Sequence, residues 1–191
     1  YVKDGHYIND RIFTHFARTF HELGEMTWGI LGLGAIGRRV ADLAKMFGAR
    51  VIYYSASGAP AQDGYTQVDF DTLLAESDIL SVHAPLNEYT EGIMNAEAFR
   101  RMKSSAILLN LGRGQIINEA DLAEALNGGT IRAAGLDVLC AEPMSKDNPL
   151  LTVRDKDRLL ITPHIAWAAV ETRQRLMKII ERQIKKFLSL S

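Results

Sequence analysis

The sequence has one cysteine, Cys140, in 191 residues, which excludes an internal disulfide and fits a reducing cytosol. It has no excess of either charge: 22 Lys and Arg stand against 23 Asp and Glu, a net charge of −1. That balance excludes the basic field of a nucleic-acid binder and a polybasic membrane patch. No apolar run approaches the roughly twenty residues of a spanning helix. There is no internal repeat and no low-complexity segment. The expectation is a cytoplasmic α/β domain with no nucleic-acid and no membrane partner. A start at Tyr1-Val2-Lys3-Asp4, with neither initiator Met nor signal peptide, reads as the middle of a longer protein.

What is present begins with glycine. Residues 28–37 are Trp-Gly-Ile-Leu-Gly-Leu-Gly-Ala-Ile-Gly, an apolar strand running into G-x-G-x-x-G. Gly32 permits a tight turn, Gly34 lets backbone approach a pyrophosphate, and Gly37 lets the next helix pack on the sheet. The helix N-terminus supplies free N–H groups to the anion. Three glycines alone would be a weak signal. Here a strand over 27–31 precedes them. A helix over 35–47 follows, with Ile36, Val40, Leu43, Ala44 and Phe47 on one face, and then a second strand over 50–54.

Further strands are expected over 78–83, 106–111, 131–138 and 158–162. They are separated by helices over 69–76, from Asn95 to Met102 and from Asn118 to about 128, and a last helix runs over 168–188. Apolar spacing of Ile12, Phe13, Phe16, Phe20 and Leu23 predicts a lead-in helix over 6–23. This alternation predicts a doubly wound parallel sheet of the Rossmann type. The division is 1–24 lead-in, 25–167 dinucleotide-binding domain and 168–191 C-terminal helix. Such sheets bind ligands beyond the carboxyl ends of their strands.

The suggestive polar residues fall in those strand-end loops. Ser55 ends the second strand, about 20 residues past the fingerprint, where a carboxylate usually selects NAD through the ribose hydroxyl. Serine does not repel a 2′-phosphate, so NADP stays open beside NAD. Arg113, in Gly-Arg-Gly, suits a substrate carboxylate through its planar fork, or a surface ion pair. His164 follows Pro163 at the end of the last strand and Glu142 lies on a neighbouring loop. Paired, they would make an imidazolium able to protonate a carbonyl oxygen. Asp137 could hold a nicotinamide carboxamide or simply stabilise a turn. His83 reads as a loop histidine and Cys140 as passive. Trp167 either lines a pocket or covers the last helix.

Together these motifs resemble the D-isomer-specific 2-hydroxyacid dehydrogenase family, over Trp28 to Gly37, Ser81 to Leu86, Leu109 to Asn118, Gly135 to Pro143 and Leu160 to Trp167. Within it, the match is nearest to glycerate dehydrogenases and hydroxypyruvate reductases. The resemblance implies reversible reduction of a 2-keto acid to a D-2-hydroxy acid by a nicotinamide cofactor. Arg113 would bind the carboxylate, and His164 would be the acid/base with Glu142 tuning it. Gly32, Gly34, Ala35, Ile36, Gly37, Ser55, Pro85, Thr90, Leu111, Arg113, Asp137 and His164 would line the cofactor, and no metal is involved. Glu142 argues against the formate dehydrogenase branch, which carries glutamine there. The resemblance also implies a homodimer and a separate substrate domain that is missing from this chain, which by itself would turn over little. A nicotinamide-sensing corepressor of the same fold is the alternative. A different Rossmann enzyme would require Arg113, Glu142 and His164 to be coincidental.

Overall fold

The computed structural model describes residues 1–16 and 19–189. Seven strands form one all-parallel sheet: β1 (Thr27–Leu31), β2 (Arg50–Tyr54), β3 (Thr66–Gln67), β4 (Ile79–Val82), β5 (Ile107–Asn110), β6 (Ala133–Leu136) and β7 (Leu159–Ile161), in the spatial order β3-β2-β1-β4-β5-β6-β7. The order reverses between β1 and β4, so the doubly wound expectation holds and the ligand crevice is placed at that junction. Register pairs Leu31 with Tyr54 and with Val82, and Asn110 with Leu136, which brings the strand ends to one edge.

Helices α1 (Ala35–Met46), α2 (Phe70–Glu76), α3 (Ala96–Arg101), α4 (Glu119–Gly128) and α5 (Val170–Leu188) alternate with the strands. Asp69, Asn95 and Asn118 cap α2, α3 and α4, each accepting from backbone N–H groups of the first turn. A large core unites Leu73, Leu74, Phe99, Leu122 and Leu126 of α2, α3 and α4 with Leu80, Val82, Leu108 and Leu136 of the sheet. A smaller one, on α1, holds Ala41 and Ala44 against Ile30, Val51 and Tyr53. Right-handed crossovers explain this division: leftward connections put helices on one face, rightward ones on the other.

Three expectations are corrected. The lead-in helix over 6–23 does not form among the described residues. His6–Asn9 is one 3-10 turn, Leu23–Glu25 is another, and Ala17 and Arg18 lie outside the described residues. Phe13, Phe16 and Phe20 are all more than 80% exposed, at 91%, 82% and 88%, so no surface rewards helix nucleation there. On α1 the sheet-facing stripe is Gly37, Ala41 and Ala44, while Ile36, Leu43 and Phe47 are exposed. Small residues let the helix sit close to the sheet, and the bulky ones flank it. Finally, β3 lies between the strand expected over 50–54 and the helix expected over 69–76, where no element is expected, and is too short and polar to signal itself.

Candidate active site

The loops leaving β1 and β4 meet at the crevice. Gly32 has φ +94°, and a Cβ there would lie 2.6 Å from Ala84 backbone atoms. A Cβ on Gly37 would fall 2.3 Å from the Gly32 carbonyl oxygen, so these two glycines close the turn. Gly34 differs. A Cβ there meets nothing within 4 Å, and as N-cap of α1 it offers no side-chain bond to the first-turn N–H groups. An exposed loop with free donors at a twelve-residue helix's N-terminus fits a pyrophosphate. Ala35 and Ile36 sit exposed at that turn.

Ser55 is half-buried at the end of β2, its hydroxyl 3.1 Å from that of Ser57. Sequence reasoning missed what comes near this loop from α1. Arg38 Nη1 donates to Gln62 Oε1 at 3.1 Å, and Gln62 Nε2 donates to the Leu33 carbonyl at 3.0 Å. The loop after β2 is thereby latched to the glycine turn. Arg38, adjacent to Gly37, was the available signal. On the β4 side, Pro85 is exposed while Thr90 is buried, its hydroxyl donating to the Pro85 carbonyl at 2.7 Å. Thr90 therefore shapes the 85–90 turn from beneath. His83 is partly buried, and its Nε2 is the one buried side-chain polar atom without a partner among the described residues. Burial pushes its pKa down, which keeps it neutral.

Beyond β5, the buried Asn110 organises the Gly-Arg-Gly turn: Oδ1 accepts from Gly112 N–H at 3.0 Å and Nδ2 donates to the Arg113 carbonyl at 2.9 Å. Leu111 and Arg113 are exposed on it. After β7, His164 takes φ +52°, a left-handed conformation that costs a non-glycine residue and needs support. Asp137 supplies that support. Its Oδ1 accepts from the Thr162 hydroxyl at 2.6 Å and Ile165 N–H at 2.9 Å, its Oδ2 from Ala166 N–H at 2.8 Å, and its carbonyl from His164 N–H at 2.9 Å. Burial opposes the charge on Asp137, but these hydrogen bonds and the nearby His164 hold its carboxyl below the ordinary value.

His164 Nδ1 lies 2.7 Å from Glu142 Oε2, so the two expected partners do touch. The hydrogen bond from His164 and a second from Leu139 N–H, 2.9 Å to Oε1, hold the Glu142 carboxyl below its usual value. An ionised Glu142 must receive a proton from Nδ1, which leaves Nε2 as the ring nitrogen not engaged by Glu142. Arg113, Glu142 and His164 line one depression of about 370 Å³ together with Gly114, Leu139 and Cys140. Burial, with the Glu119 carboxylate adding, pushes the Cys140 thiol up to about 11, so it is a poor nucleophile. Trp167 is half-exposed. Among the described residues no group of three or more His, Cys, Asp or Glu could hold a metal. Among the described residues no helix is long and apolar enough to cross a membrane.

A parallel sheet with this turn at its switch point, and an Arg, Glu and His cluster at its far strand ends, has the architecture of a dinucleotide-binding domain. The model of the D-isomer specific 2-hydroxyacid dehydrogenase NAD-binding domain matches residues 2–166, and the chain belongs to that family. It is 43% identical over 169 residues to a hydroxypyruvate reductase of Blautia hydrogenotrophica, covering 87% of this chain and 52% of that one. It is 36% identical over 188 residues to a glycerate dehydrogenase of Methylorubrum extorquens, covering 98% and 58%. Among solved structures it resembles a D-lactate dehydrogenase of Aquifex aeolicus complexed with NAD and lactic acid, with a TM-score of 0.82, 29% identity, and 91% and 58% coverage. The chain thus spans between half and three-fifths of these relatives. All three are reductases or dehydrogenases, and the corepressor alternative finds no support among them.

Proposed function

We propose that this domain carries the cofactor and half of the catalytic cleft of an enzyme that interconverts 2-keto acids and D-2-hydroxy acids, with hydroxypyruvate as a substrate to test first. The observation that carries this reading is the bonded His164–Glu142 pair in the same depression as Arg113. Gly32, Gly34, Ala35, Ile36 and Gly37 would hold the pyrophosphate. Ser55 would face the adenosine ribose, while Pro85, Leu111 and Asp137 would border the rest of the cofactor and the buried Thr90 would hold the Pro85 turn from beneath. When bound, a nicotinamide dinucleotide supplies the hydride. Arg113 pairs its fork with the substrate carboxylate and leaves the adjacent carbonyl against His164. His164 Nε2 gives a proton to the forming alkoxide, and takes it back in the reverse direction, while Glu142 favours the charged ring. Both NAD and NADP fit Ser55, and we expect NAD as the working cofactor.

The exposed Leu43 and Phe47, together with Phe13, Phe16 and Phe20, support a homodimer through this domain. Sedimentation would read it as twice the chain mass. A separate substrate domain would supply the other wall of the cleft, with α5, none of whose residues is buried, leading toward it. The unpaired Cys140 fits a cytoplasmic location. The test is steady-state reduction of hydroxypyruvate by the full-length protein and by the 191-residue chain. Turnover by the former and little by the latter is expected; inactivity of the full-length protein on a keto-acid panel would overturn the reading.

A further inference from the structure

Glu119 belongs to none of the motifs above, yet the residue is only 8% exposed in the first turn of α4. A buried carboxylate is costly unless its oxygens are bonded. Both are, and to one loop. Oε1 accepts from Cys140 N–H at 2.8 Å, and Oε2 accepts from Asn148 Nδ2 at 2.8 Å. Asn148 is itself buried, with Oδ1 accepting from Leu150 N–H at 2.9 Å. The segment pinned between Cys140 and Asn148 is the one that carries Glu142.

The peptide beside the first anchor does a second job, since Leu139 N–H donates to Glu142 Oε1. Gly114, next to Arg113, presses on the same place. A Cβ there would lie 2.0 Å from the Leu139 carbonyl carbon and 2.4 Å from Cys140 N. Leu139–Cys140 is therefore where the arginine turn, the glutamate loop and α4 meet.

We propose that Glu119 is a positioning residue: by fixing Leu139–Cys140 and Asn148 it sets Glu142 against His164 and keeps that pair in register with Arg113. Its meaning for catalysis rests on His164 being the proton carrier, as proposed above. The groups facing Glu142 are His164 from the β7 loop, Asp137 at the end of β6 and Arg113 from the β5 loop, with Glu119 one peptide away. Without Glu119 the Cys140 N–H and Asn148 amide lose their acceptor. The loop then relaxes, and Glu142 loses the aligned donors that hold its carboxyl low.

The test follows the Glu142 carboxyl carbon by NMR titration in the 191-residue chain, so it needs neither cofactor nor turnover and is separate from any failure of the enzymatic reading. Glu119→Ala is expected to raise the Glu142 midpoint toward the ordinary carboxylate range. Glu119→Gln keeps an amide oxygen for Cys140 N–H but sets an NH2 against the Asn148 amide, so it is expected to give only a small rise, well below that of Glu119→Ala. Asn148→Ala breaks one anchor only and gives a smaller rise, which keeps the test alive if Glu119→Ala does not fold. Leu73→Ala in the distant α2 core lowers stability and leaves the midpoint in place. An unmoved midpoint in Glu119→Ala and Asn148→Ala, or an equal rise in Leu73→Ala, would overturn the proposal.

Discussion

His164 and Glu142, 22 residues apart in the chain, meet through a 2.7 Å contact between Nδ1 and Oε2. The contact fixes which imidazole nitrogen is occupied and therefore which one can serve a substrate. Both side chains remain more than a third exposed, at 43% and 37%, so the pair is screened and contributes little to stability. Its consequence belongs to chemistry. In the full-length enzyme, His164→Gln is expected to lower kcat by roughly 10²–10⁴-fold, the usual range for a general acid, a loss far larger than any change in cofactor affinity. Steady-state kinetics with a cofactor titration checks this, and a kcat near wild type would exclude His164 as the proton carrier.

Asp137 should matter for stability in a pH-dependent way. Its folded carboxyl is held low, so its contribution is full above the ordinary carboxylate range and is lost as pH falls through the depressed value. Asp137→Ala leaves the N–H groups of Ile165 and Ala166 without acceptors, at a cost of about 1–3 kcal/mol. Urea unfolding of wild type and variant should show the full gap at neutral pH and its closure in acid.

The three fingerprint glycines should separate by experiment. Alanine at Gly32 or Gly37 collides with backbone and should destabilise by about 1–3 kcal/mol. Alanine at Gly34 meets nothing in the protein, so melting should hold while calorimetric cofactor binding weakens. If Gly34→Ala melts early or binds normally, the pyrophosphate does not sit there.

Ser55→Asp should move the cofactor balance toward NADH. A carboxylate beside a 2′-phosphate costs several kcal/mol by like-charge repulsion, so NADPH affinity should drop by about a hundredfold or more. NADH affinity should hold or improve. Parallel titrations with the two cofactors decide it.

Much of this was legible in the residues, because the relevant physics is local. The glycine spacing dictates its turn, and apolar runs ending in polar residues placed Arg113, Glu142 and His164 at one sheet edge. What escaped depends on contacts between distant segments. Glu119 lies 21 residues from Cys140 and 29 from Asn148, and nothing in its neighbourhood announces either bond. Asp137 reads as a turn aspartate or cofactor ligand until β7 is laid beside β6. The aromatic spacing before Gly24 mimics a helix, but spacing cannot reveal that nothing in the described chain covers those rings. On α1, hydrophobic spacing rightly picked Ala44 and the partly buried Val40, but Ile36, Leu43 and Phe47 are exposed, and close approach to the sheet selected Gly37 and Ala41 instead.

The most direct measurement is a calorimetric titration of the 191-residue chain with NADH and, separately, NADPH, repeated on Gly34→Ala. Saturable binding of at least one dinucleotide to the wild type, weakened in the variant, is the predicted result. Binding of neither cofactor would contradict the account at its foundation.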